Sequence, residues 1–226
     1  GLKSRVGCAG YKYYRGEAIR MPTHAIDIPS YIVDIIRSLA GPEMVLNVSD
    51  FFINPEYGLR STCSVHEIAF IEYSNSIASQ AMKKMIFGLR EGMTDLEACR
   101  LYEYNGLPLC CHPTFITGTN RNCGLASPAG NIIKKGDPFA VNFGYWGSNI
   151  CRAGWLAREK ADLPSEASDY LENFAAPYFE AIGEWFKILK LGTAGSVLHN
   201  VIHDRLPYEK FGIRLNAGHL IHMDEW

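Results

Sequence analysis

Two hydrophobic periods run along this chain, and the change from one to the other marks its elements. Valine and tyrosines between Arg5 and Tyr14 predict a strand. Ile32, Ile35, Ile36 and Leu39 then fall on one face at helical spacing. Pro29 suits the first turn of that helix and Gly41 its stop. Val45 to Val48 reads as a second short strand, and Asn54-Pro55-Glu56-Tyr57-Gly58 is turn chemistry at a plausible domain boundary.

Beyond that turn the helix-start signals are explicit. Ser64 and Glu67 are spaced as a capping box, in which the serine side chain takes a backbone N–H and the glutamate reaches back. A long helix to about Gly88 follows from it. Thr94 and Glu97 form a second box and open another helix. Pro113–Thr117, Pro138–Asn142 and Ile150–Ala157 read as strands. A third long helix runs from Ser165 toward Leu191, bent or broken near Pro177 and ended by Gly192, and a fourth covers Ala194 to Leu206. Leu215 to His222 returns to an extended strand. Helices flanking a largely antiparallel sheet predict an α+β fold.

Composition narrows the function classes. The chain has 226 residues, 47% hydrophobic and 20% charged, which is ordinary for a globular protein. A net charge of −2 and a pI near 6.4 give no electrostatic case for nucleic acid or an anionic membrane. No apolar run reaches membrane-spanning length, and Gly1-Leu2-Lys3-Ser4-Arg5 lacks the apolar core of a secretory signal. Seven scattered cysteines without a Cys-x-x-Cys pair do not read as a disulfide framework. A reducing cytoplasm is the expected compartment.

The segment Val141-Asn142-Phe143-Gly144-Tyr145-Trp146-Gly147-Ser148-Asn149-Ile150-Cys151-Arg152 carries most of the functional information. It follows Gly136-Asp137 and precedes Gly218-His219. In that frame it resembles the metal-binding strand pair of the pita-bread family, which includes methionine aminopeptidase, Xaa-Pro aminopeptidase, prolidase and creatinase. Five further segments fit the same order. They are Gly58-Leu59-Arg60-Ser61-Thr62 with His66-Glu67-Ile68, Leu89 to Glu97 around a helix-opening Gly-x-Thr motif, the Ile132 to Asp137 turn, a second turn of the same kind at Leu191-Gly192-Thr193, and Ala217 to His222. The resemblance covers about residues 60–226. Residues 1–60 look like the closing part of the N-terminal domain of the Xaa-Pro aminopeptidase and creatinase branch, and 61–226 like a peptidase domain incomplete at its C-terminus. It implies a curved, mostly antiparallel sheet backed by helices, and a homodimer.

The departures from the family pattern set the functional question. Asn142 and Asn149 stand where the family has two metal-binding aspartates. Two divalent ions concentrate positive charge that carboxylates offset; asparagine keeps an oxygen and the shape but is neutral, and hard cations select anionic oxygen and imidazole. Gly124 takes the place of the family's substrate-binding histidine, and His219 matches the one ligand that persists. The last two glutamate ligands would lie beyond Trp226, so a fragment of a longer protein is expected.

Three readings follow. The first is a hydrolase-like pseudoenzyme, or weak hydrolase, with no dinuclear metal site, which binds a small amide, amidino or peptide-like ligand. Asn142, Asn149, Tyr145, Arg152 and His222 would contact that ligand, and His219 would be the catalytic base for any turnover. The second is an Xaa-Pro aminopeptidase or dipeptidase using manganese, cobalt or zinc through unusual ligands. The third is an inactive module that grips a partner peptide. Asn142, Asn149 and His219 are expected to converge on the concave side of the sheet.

Other residues carry blander expectations. His199 and His203 share a helix face at zincin spacing, but Asn200 replaces the required glutamate, so a solvated or packed face is expected. Cys110-Cys111-His112-Pro113 sets a thiol beside an imidazole, although adjacency in sequence does not make a catalytic pair. Cys151 is expected to be a small buried filler, with a reactive thiol as the alternative. Trp146, like Tyr145, either walls a pocket or packs. An alternative polar cluster of His219 and His222 with Asp224 and Glu225 requires a bulge, because residues three apart in a strand face opposite ways.

Overall fold

The computed structural model describes residues 4–10, 23–118, 126–213 and 218. They fall into two compact units, one reaching to Glu72 and one running from Tyr73.

In the first unit β1 (Val6–Cys8) pairs in parallel with β2 (Val45–Asn47), with Val6 beside Val45. The strand is shorter than the Arg5–Tyr14 run predicts, and that run continues outside the described residues from residue 11. Helix α1 (Ser30–Ala40) starts after Pro29 and stops at Gly41, whose φ of 99° few other residues would adopt. Its apolar stripe is not covered as a core-facing helix would be. Val33 is buried, whereas Ile32, Ile35 and Leu39 are exposed. Asn47 and Ser49 are buried polar residues that tie the unit together. The Asn47 Nδ2 donates to the Ala25 carbonyl at 2.7 Å, and the Ser49 Oγ accepts from the Gly10 N–H at 2.9 Å. A short helix, α2 (Asp50–Ile53), precedes the Asn54–Gly58 turn.

Both capping boxes form. The Ser64 N–H donates to Glu67 at 2.6 Å at the start of α3 (Val65–Gly88), and Thr94 and Glu97 cap each other at α4 (Asp95–Arg100). In the second unit β3 (Thr114–Thr117), β4 (Pro138–Phe143) and β5 (Ile150–Trp155) make an antiparallel sheet in that order. One face of it packs on the helices. Phe115, Val141, Phe143 and Ile150 join Ala78, Ala81, Met82 and Met85 of α3, Ala98 of α4 and Tyr102 in a single core. Tyr102 stacks on Phe143 with centroids 4.4 Å apart.

The predicted third helix is interrupted as its proline requires. A π-helical segment at Leu171–Ala175 leads into α5 (Ala176–Ile188), with Pro177 in the first turn. Proline lacks the N–H that a continuous ladder would need at that point. Helix α6 (Gly195–Arg205) packs on α5 through Ala181, Ile202 and Leu206, and α7 (Tyr208–Phe211) follows. His199 and His203 lie one above the other on α6, with ring centroids 4.0 Å apart. The predicted strand from Leu215 to His222 lies outside the described residues, Gly218 excepted.

Candidate functional site

The site is organised by the connection between β4 and β5. Gly144 ends β4 and runs so close to the returning chain that a Cβ there would stand 2.2 Å from the Ser148 carbonyl oxygen. Only glycine fits that approach. Ser148 is fully buried; its Oγ accepts from the Tyr145 N–H at 2.9 Å and donates to the Tyr145 carbonyl at 3.0 Å. Gly147 takes a φ of 79°, and its carbonyl accepts from Asn75 of α3 at 3.0 Å. The turn that sets the spacing between Asn142 and Asn149 is thus bonded internally and fastened to the longest helix.

Strand register decides what the turn brings together. Asn142 lies directly opposite Thr114 of β3 on one side and Cys151 of β5 on the other. Asn149 lies in the connection just before β5, two residues from Cys151 along the chain. Directly opposite residues have Cβ atoms about 5 Å apart and diagonal ones about 7–8 Å. The face of Asn142, away from the helical core, carries Thr114 and Ile116, then Pro138, Ala140 and Asn142, then Cys151, Ala153 and Trp155.

The remaining expected contacts are placed differently. Arg152 pairs with Val141, so it belongs to the opposite face from Asn142; its guanidinium donates to the Cys151 carbonyl at 2.7 Å. Tyr145 is buried in the core, edge-on to Phe143 at 5.1 Å, and does not wall the Asn142 face. Trp146 is exposed. Cys151 is exposed as well, because β5 is the last strand of the described sheet, and the buried-filler expectation is corrected. His219, His222 and Gly124 lie outside the described residues.

Polar satisfaction is unusual on this face. Asn142 is 3% exposed and Thr114 0%, yet the Asn142 Oδ1 and the Thr114 Oγ1 have no hydrogen-bond partner among the described residues. Each such buried atom costs about 1–3 kcal/mol. Sequence reasoning named Asn142 but missed Thr114. No motif marks the threonine, and only the register reveals it.

Next to this row the sheet edge is irregular. Leu109 bridges Tyr145, and the Cys110 N–H donates to the Gly144 carbonyl at 3.1 Å, while Thr114 already opposes Asn142. Cys111, His112 and Pro113 therefore stand against Phe143 alone, which makes a bulge beside the row. Within it the Cys111 Sγ lies 3.8 Å from the His112 Nδ1.

The same overall arrangement occurs in solved structures. An X-Pro aminopeptidase from Thermotoga maritima matches with a TM-score of 0.61 at 18% identity, over 82% of this chain and 52% of that one. A prolidase from Pyrococcus horikoshii matches with a TM-score of 0.66 at 18% identity, again over 82% and 52%. A putative aminopeptidase P from Bacillus anthracis matches over 95% of this chain and 49% of that one, with a TM-score of 0.63 at 12% identity. The chain has the pita-bread fold. It spans about half the length of these structures. No family model matches its sequence, and no curated protein does.

Among the described residues, the strand face that carries Asn142 has no carboxylate and no imidazole, and no group of three or more histidine, cysteine, aspartate or glutamate side chains is placed to hold a metal ion. The polar side-chain oxygens that this face does carry there are a neutral amide and a hydroxyl, which offset no charge.

A cavity of about 640 Å³ opens elsewhere in this unit, lined by Phe87, Arg90, Lys135, Phe139, Trp155 and Arg158 among others. Its cations are already engaged in part. Arg90 donates to the Phe87 and Leu89 carbonyls, and Lys135 pairs with Asp162 at 2.7 Å.

Proposed function

We propose that this pita-bread protein uses the cleft face around Asn142 and Asn149 to bind a small neutral amide or peptide-like ligand, without the dinuclear metal centre. The observation that carries this reading is the buried, unpartnered Oδ1 of Asn142 on a face with no anionic side chain among the described residues. An amide oxygen there calls for an N–H donor, not for a cation whose charge must be offset. Turnover, if present, would rest on His219 as base and would be weak, which makes the protein a pseudoenzyme-like relative of peptidases.

The likeness to X-Pro aminopeptidases and prolidases supports a peptide-like ligand class. A homodimer belongs to the same proposal, supported by Phe179 and Phe186, which leave large apolar surfaces exposed on α5. So does a reducing compartment, supported by six cysteines among the described residues that form no disulfide. Among the described residues no helix is long and apolar enough to cross a membrane.

The test is metal content measured together with turnover. Protein purified without chelator is expected to hold no stoichiometric manganese, cobalt or zinc and to leave an Xaa-Pro peptide uncut with manganese added. Near-stoichiometric metal with manganese-dependent cleavage would overturn the proposal.

A further inference from the structure

We propose that Thr114, Asn142 and Cys151 form a transverse row whose polar groups suit a primary carboxamide, with Cys151 at its exposed end. This rests on the neutral-ligand reading above and names the group that enters. The register sets the three side chains in line across β3, β4 and β5, on the face away from the helical core. Burial falls along the row. Thr114 is fully buried, Asn142 is buried, and Cys151 is exposed. The buried end is polar and has no hydrogen-bond partner among the described residues, and the exposed end is a thiol outside any disulfide.

Hydrogen-bond complementarity selects the ligand. The Asn142 Oδ1 can only accept, whereas the Thr114 hydroxyl can donate or accept. Neither bonds the other. A primary carboxamide carries an N–H donor for the asparagine oxygen and a carbonyl acceptor for the hydroxyl in one planar group. A carboxylate offers only acceptors and would leave the Asn142 oxygen unpaired. An ammonium offers only donors and would bring a charge that no carboxylate on this face offsets among the described residues. An alkyl group would leave both atoms as they are.

Cys151 makes the proposal testable by disulfide capture. The purified chain is incubated with matched thiol-reactive fragments ending in a carboxamide, a carboxylate, an ammonium or an isobutyl group. Labelling at Cys151 is read by peptide mass, with Cys151→Ser to confirm the position and to separate it from exposed Cys63. The carboxamide fragment is expected to be captured roughly tenfold over the others, the worth of one to two hydrogen bonds. Asn142→Leu and Thr114→Val should each abolish that preference, with melting temperature measured alongside. Asn142→Asp keeps the shape and should turn the preference to the ammonium fragment. Equal capture of all fragments, or a carboxamide preference that survives in both Asn142→Leu and Thr114→Val, would overturn the row as a carboxamide site. That failure is separable from failure of the neutral-cleft reading, which shows itself as bound metal and manganese-dependent cleavage.

Discussion

Gly144 and Ser148 meet so closely that a single added Cβ would stand 2.2 Å from the serine carbonyl oxygen. The contact is with backbone, which cannot rotate away, and the turn around it is bonded three times between Tyr145 and Ser148. Gly144→Ala should therefore cost about 3 kcal/mol of stability, and Ser148→Ala about 2 kcal/mol through loss of two buried bonds. Urea unfolding measures both. An unchanged midpoint for Gly144→Ala would mean that the β4–β5 turn is not fixed as described.

What the sequence made legible was mostly local. The Ser64/Glu67 and Thr94/Glu97 boxes act within one helical turn, so spacing alone locates α3 and α4. Pro177 breaks its helix through a donor that proline lacks wherever it sits. Asn142 and Asn149 were found because they stand in a motif frame. The row that Asn142 belongs to was not legible, because Thr114 and Cys151 reach Asn142 only through register, and register depends on a bulge at Cys111–Pro113 and a turn at Gly144. The same cause governs where Arg152 and Tyr145 stand. Being near Asn142 in sequence says nothing of which face a strand residue takes or whether a turn residue folds back into the core.

Asp95 offers a stability prediction with a defined pH window. Its buried carboxylate accepts from the Ala129 and Gly130 N–H groups at 3.1 and 2.7 Å and from the Asn131 side chain at 2.9 Å. Burial is the largest single effect and raises its pKa, but these hydrogen bonds together outweigh it and hold the carboxyl below its ordinary 3.8. A lowered folded pKa means the stabilisation is complete above 3.8 and is lost as pH falls through the lower folded value. Asp95→Ala should cost about 3 kcal/mol near neutral pH, since it leaves two backbone donors unpaired. The deficit should shrink in acid. A deficit independent of pH would show that the ionised form is not what the turn recognises.

Tyr102 predicts a gain. Its ring is stacked in the core on Phe143, but its hydroxyl is buried with no partner among the described residues. Burial pushes the phenol above its ordinary 10. Tyr102→Phe keeps the stack and removes the unsatisfied group, so stability should rise by about 1 kcal/mol. In the wild type, stability should fall as pH rises past 10, because the unfolded phenol ionises first; the variant should lack that component. Thermal melts at neutral and alkaline pH measure both effects. A loss of stability in the variant would mean that the hydroxyl is satisfied after all.

Metal affinity should be recoverable by two substitutions, if charge is what the cleft lacks. Asn142→Asp and Asn149→Asp preserve side-chain shape and add anionic oxygens at the two ends of the β4–β5 connection. The double variant should bind manganese measurably more tightly than the wild type in titration calorimetry, with each single variant between them. Adding two like charges around one turn should also destabilise the metal-free protein and raise the carboxyl pKa values. Manganese should then raise the melting temperature of the double variant and leave the wild type unchanged. If wild type and double variant bind manganese equally, the asparagines are not what sets metal affinity. The proposal that this face takes a neutral ligand in place of metal would then lose its physical basis.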